Sequence, residues 1–153
     1  MLSRPFLRML PIATILESCS WTVLAALGPI TAGITFNDVL ANGTGCMLNI
    51  AIPQVTQTGE FAGGSNTFDV WRVSSPITNS TTWNTIPSRT TMWATMNMPI
   101  DVTTGPFQTV LMSDTCNETM SFYFQLSDWQ QQAGFVRILQ EDMEYGFWLT
   151  YGC

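Results

Sequence analysis

Histidine and lysine are both missing from this chain, and the two absences remove most of the chemistry that proteins perform near neutral pH. Without histidine there is no imidazole to act as general base in a hydrolase triad or as the commonest transition-metal ligand; without lysine there is no amine for Schiff-base or phosphate-loop work. Charge of any kind is scarce, at 10% of 153 residues, and five basic against eleven acidic side chains leave a formal charge of -6. That sign repels phosphate backbones and anionic lipid surfaces, which argues against nucleic acid as a partner. Four cysteines stand at Cys19, Cys46, Cys116 and Cys153, and no two form a CxxC pair, so neither a zinc knuckle nor a thioredoxin-like motif is on offer. A membrane-spanning helix needs about 20 uninterrupted apolar residues, and Glu17 and Pro29 interrupt the one stretch that approaches it.

What is present is apolar and neutral. With 46% hydrophobic and 12% aromatic residues, the chain can bury one sizeable core, and a single domain is expected. Glycine, proline, serine, threonine and asparagine supply the polarity that charges do not, a profile of extracellular proteins.

Residues 1–33 read as a leader. Arg4 and Arg8 precede Leu10, Ile12, Ile15 and Leu16, the apolar character resumes from Trp21 to Leu27, and small residues follow at Thr31, Ala32 and Gly33. Glu17 makes the pattern irregular, and a short amphipathic helix or an incorrectly joined gene start is the alternative. The folded domain is then expected over residues 34–153. Three sequons begin at Asn42, Asn79 and Asn117, each between strand-like runs, and agree with secretion and glycosylation.

From residue 34 the hydrophobic period is two. Met120, Phe122, Phe124 and Leu126 alternate with Ser121, Tyr123, Gln125 and Ser127, which predicts one apolar face against a core and one polar face outward. Phe147, Leu149 and Tyr151 alternate in the same way with Trp148, Thr150 and Gly152. Similar runs at 34–37, 46–52, 66–73, 91–98, 107–112 and 135–140 bring the expectation to about eight strands. Turn formers separate them at short intervals that leave no room for crossover helices. The fold class expected is therefore all-β: a two-sheet antiparallel β-sandwich, jelly-roll-like, with Phe68, Phe122, Phe124, Phe135 and Phe147 filling the gap between sheets.

The segments Cys46 to Pro53 (CMLNIAIP), Phe68 to Val73 (FDVWRV), Thr81 to Pro87 (TTWNTIP), Ser121 to Gln125 (SFYFQ) and Gly146 to Cys153 (GFWLTYGC) follow one another in a recognisable order. Together they resemble the C-terminal domain of the fungal But-type ubiquitin 3 binding protein family. The resemblance implies a module of secreted and cell-wall proteins with no established reaction. It also implies a cysteine shortly before the last strand, and none stands around Met143. The family is named for a ubiquitin-like partner that a secreted protein would not meet.

Two cysteine pairings are open. If the strand beginning at Cys46 and the strand ending at Cys153 lie side by side and antiparallel, a Cys46 to Cys153 bridge is easy to make. The rival joins Cys116 to Cys153, and Cys19 departs with the leader. Unpaired, Cys116 is a small buried hydrophobe.

Candidate sites are few. Glu141, Asp142 and Glu144 form the densest acidic cluster, suited to a calcium ion or, more simply, to a solvated acidic turn. Asp69, Asp101, Asp114 and Asp128 are the carboxylates that a glycosidase would draw on, but no pair stands out. The composition therefore points to a non-enzymatic protein with no cofactor and no metal. Trp71, Trp93 and Trp148 fall opposite Phe68, Met96 and Phe147 in their strands, so they form a ligand platform if those faces meet solvent and core if they do not. Trp129 adds to the aromatic set, and Trp83 within TTWNTIP reads as a turn-packing residue. Three functions follow: a secreted or cell-wall protein acting through surface contacts with a polysaccharide or protein, a carbohydrate-binding module using tryptophan, and a secreted effector meeting a host protein.

Overall fold

The computed structural model describes residues 21–24, 31–39, 44–130, 132–140 and 144–152. Among them ten strands form: β1 (Trp21–Leu24), β2 (Thr31–Phe36), β3 (Thr44–Ile52), β4 (Ala62–Gly64), β5 (Thr67–Val73), β6 (Arg89–Asn97), β7 (Phe107–Asp114), β8 (Met120–Leu126), β9 (Gly134–Ile138) and β10 (Gly146–Gly152). The only helical turn in the described residues is the 3-10 turn Trp83–Thr85. Thr85 closes that turn by donating its amide to the Thr82 carbonyl, while its own hydroxyl oxygen accepts from the Thr82 amide. The TTWNTIP segment is thus a capped turn, as its threonine content favours.

Every strand pair is antiparallel. Four strands in the order β2-β8-β5-β6 face three in the order β10-β3-β7, and this is the expected β-sandwich. Strict alternation along β3 buries Leu48, Ile50 and Ile52 completely, and β8 answers with Phe122 and Phe124. The Phe124 and Phe147 rings meet at 4.5 Å and join the two sheets. Each such ring taken out of water stabilises the fold by about 2 to 3 kcal/mol.

The structure corrects the outline in three places. First, the sandwich begins before residue 34: β2 starts at Thr31, and Trp21–Leu24 runs along β9 from Trp21 opposite Ile138 to Leu24 opposite Phe135. The boundary drawn between 33 and 34 therefore falls inside a strand. Second, β9 leaves the two main layers and centres a third, small sheet in the order β1-β9-β4. Phe135 accordingly lies against Gly63 of β4, where a Cβ would come within 2.7 Å of its ring, and does not fill the gap between the main sheets.

Third, the polar face of β8 does not meet solvent, for Tyr123, Gln125 and Ser127 are all buried. The long connection between β5 and β6 folds back over that face. Ile77 donates its amide to Ser121 Oγ (3.2 Å) and accepts from Thr35 Oγ1 (2.7 Å). Its side chain occupies the space above Gly33, where a Cβ would stand 2.5 Å from Cδ1. Alternation reports which residues share a face, but a covering loop decides whether that face is wet.

Candidate functional site

β5 and β6 cannot run in perfect register. Bulges interrupt their pairing between Val70 and Trp71 and again between Trp71 and Val73. A bulge re-aims side chains and strengthens local twist. Its result here is that Trp71 and Arg72 of β5, and Arg89 and Trp93 of β6, pair crosswise. The Arg72 guanidinium lies over the Trp93 ring at 5.3 Å, and the Arg89 guanidinium over the Trp71 ring at 4.9 Å.

The first pair stands at the open end of the sandwich. Trp93 packs against Phe122 with ring centroids 6.0 Å apart, so its indole belongs to the core side of the sheet. Arg72 is partly exposed and lies 3.6 Å from an Asp114 carboxylate oxygen at the end of β7. Such a half-exposed ion pair contributes at most about 1 kcal/mol. These side chains, the Ser74 to Pro76 segment and the β7 to β8 connection enclose an open cleft with about 200 Å³ of free space.

One wall of the cleft is tied to the core by a disulfide. Cys46 joins Cys116 with Cα atoms 5.2 Å apart, and both are buried. This replaces the expected Cys46 to Cys153 bridge and equally the Cys116 to Cys153 alternative. The strands at Cys46 and Cys153 are indeed antiparallel neighbours, but register decides the partner: Thr150 faces Met47, and Gly152 already faces Thr44. On the other side Cys46 faces Asp114, which brings Cys116 within bridging distance two residues later. Cys153 and Cys19 lie outside the described residues.

The second pair stands on the covered face of the four-stranded sheet. Arg89 donates to Gln125 Oε1 and approaches Asp128 at 3.9 Å, while Gln125 Nε2 donates to Asp128. Beside this chain of contacts, buried Asp69 accepts from Thr95 Oγ1 (2.6 Å) and Ser127 Oγ (2.8 Å). Trp71 Nε1 is buried with no acceptor. The arrangement is a satisfied polar layer with one orphan donor.

The three platform tryptophans are therefore not brought together. Trp93 faces the cleft, Trp71 the covered face, and Trp148 the outer side of the three-stranded sheet, opposite Asn49. Asn49 and Thr150 on that side are buried and bonded to one another at 3.0 Å. One ring face of Trp71 and of Trp93 is already taken by the chain's own arginine. Among the tryptophans whose side chains are described, the bare indole is that of Trp129, 67% exposed in the connection from β8 to β9.

The remaining candidates disperse as well. Asp114 and Asp128 face arginines, Asp69 two hydroxyls, and Asp101 the hydroxyl of Thr58 at 3.3 Å. Asn79 and Asn117 are exposed, and Asn42 lies outside the described residues. Glu141 and Asp142 also lie outside them, Glu144 is exposed, and no group of three metal-ligating side chains occurs among the described residues. No helix in those residues is long and apolar enough to cross a membrane. What sequence reasoning missed is the part played by Arg72 and Arg89. The available signal was that each stands within four residues of a tryptophan in a chain with no lysine.

An antiparallel β-sandwich with a buried disulfide and a cleft walled by Arg72 and Trp93 defines a small all-β domain. Residues 25–134 match the family described as the ubiquitin 3 binding protein But2 C-terminal domain, and the chain belongs to that family. The matched segment stops at the first residue of β9, although β10 completes the three-stranded sheet and places Phe147, Leu149 and Tyr151 in the core. Neither a search of curated proteins nor one of solved structures returns a match.

Proposed function

We propose that this domain works outside the cytosol, secreted or bound to the cell wall, as a non-enzymatic protein acting through surface contacts. The observation that carries the reading is the Cys46 to Cys116 bridge, buried in the core and spanning 70 residues of chain. Disulfides of this kind persist in oxidising compartments and are rare in reducing ones. The scarcity of charge and the exposed sequons at Asn79 and Asn117 agree with it. Asp69, Asp101, Asp114 and Asp128 each have an arginine or hydroxyl partner, which favours a structural over a catalytic use of them. The intact mass of the protein recovered from culture medium, before and after reduction and deglycosylation, tests the proposal. A fully reduced, sugar-free chain retained inside cells is the outcome against it.

A second reading, binding of cell-wall polysaccharide, is favoured by the uncovered indole of Trp129. Flat aromatic faces stack on sugar rings, and an exposed one invites a partner. Depletion of the protein by insoluble chitin or β-glucan, lost in Trp129→Ala and kept in Trp148→Ala, supports it; absence of retention on either polysaccharide removes it.

A further inference from the structure

We propose that the cleft between Arg72, Trp93 and Asp114 is the seat of a sugar carried by the chain itself, the first N-acetylglucosamine of a glycan on Asn117. This rests on the extracellular reading above, because the sugar is added only in the secretory pathway.

Three observations converge on one position. Asn117 belongs to the sequon Asn117-Glu118-Thr119, is exposed, and lines the cleft together with Thr119. Its side-chain amide donates only to the Thr115 carbonyl, at 3.4 Å, a long bond that is given up at little cost. The neighbouring Cys116 is held in the core by Cys46, so the sequon backbone is fixed in place at the rim. In the attachment reaction the Asn117 amide nitrogen bonds to C1 of a lipid-linked oligosaccharide. The lipid diphosphate leaves, and the amide loses one proton.

The chemistry of the opposite wall suits that occupant. Arg72 offers guanidinium donors to the acetamido carbonyl, Asp114 an acceptor to a ring hydroxyl, and Ser74 and Ser75 hydroxyls that serve either way. The Trp93 indole supplies an apolar surface for the ring's C–H face. None of these contacts need be strong. A sugar tethered a few bonds away is present at high effective concentration, so contacts too weak to capture it from solution still hold it. Asn79 provides the contrast: it is exposed, and the turn around it, where Thr78 bonds to Ser80 and Thr81, does not line the cleft.

The test is site-resolved deglycosylation of the full chain secreted from a yeast host. Folded protein is treated with peptide N-glycosidase, and release at the two asparagines is followed by mass spectrometry. The expected result is release at Asn117 about tenfold slower than at Asn79, the difference disappearing once the protein is unfolded. Arg72→Ala is expected to bring the Asn117 rate up towards that of Asn79 while leaving Asn79 unchanged. Equal rates on the folded protein, or sugar on Asn79 with none on Asn117, overturn the proposal alone. Sugar on neither residue overturns it together with the extracellular reading.

Discussion

Two arginine–tryptophan stacks are built from the same pair of strands, with β5 lending its arginine to one and its tryptophan to the other. Each has an aspartate close to the guanidinium, at 3.6 Å and 3.9 Å. Their surroundings differ. Arg72 and Trp93 stand where the sandwich opens, so the stack becomes the wall of a cleft. Arg89 and Trp71 stand on the opposite face of the four-stranded sheet, where Gln125 and Asp128 occupy the remaining polar positions. One chemical motif thus yields the wall of a cleft or a hydrogen-bonded polar layer, depending on what the neighbouring strands place beside it.

That contrast can be broken in stages. Removing the bridge with Cys46→Ala and Cys116→Ala together releases the cleft wall at Asp114 and Asn117 but touches nothing around Arg89. Loop-closure entropy puts the loss of stability at about 4 kcal/mol, read as a lowered urea midpoint. Trp93→Ala is expected to cost about 3 kcal/mol because it opens a hole against Phe122, and Trp71→Ala about half as much, since its indole lies outside the core and has an unmade hydrogen bond. Equal losses in thermal denaturation would erase the distinction between the two tryptophans.

The arginines should reverse that order. Arg89→Ala strands the Oε1 atom of buried Gln125 and is expected to cost about 1 to 2 kcal/mol. Arg72→Ala breaks a partly exposed ion pair and an equally exposed stack on Trp93 and should cost about 1 kcal/mol at most, with the deficit shrinking in high salt. The smallest effect lies away from both stacks. The Thr56 backbone amide, 2.7 Å from Glu60 Oε2, leads the contacts that hold the Glu60 carboxyl below its ordinary value. A group depressed in the folded state stabilises it fully above its unfolded pKa and loses that contribution as pH falls through the folded value. Glu60→Gln should therefore lower stability slightly at neutral pH and flatten the slight decline that the unaltered chain shows below the usual glutamate range, read by denaturation at a series of pH values.

Much of the architecture was legible in the chain. All eight expected strands form, because a period of two is a local property that survives whatever the strand packs against. Phe68, Phe122, Phe124 and Phe147 are buried for the same reason. The site was far less legible. Trp71, Trp93 and Trp148 share a parity argument but end on three different surfaces, since two bulges and one covering loop intervene. The short strands β1 and β4 carry too few residues to show any period.

By itself, then, the order of residues determined an all-β chain, its strand positions and the kinds of chemistry it lacks, for these depend on composition and on neighbours two apart. Tertiary structure alone decided that Cys46 meets Cys116, that the Ile77 loop packs over Gly33 and Ser121, and that Arg72 and Trp93 wall a cleft. Those outcomes turn on register between strands distant in sequence, where a shift of one residue reverses every side chain and one bulge redirects only a few.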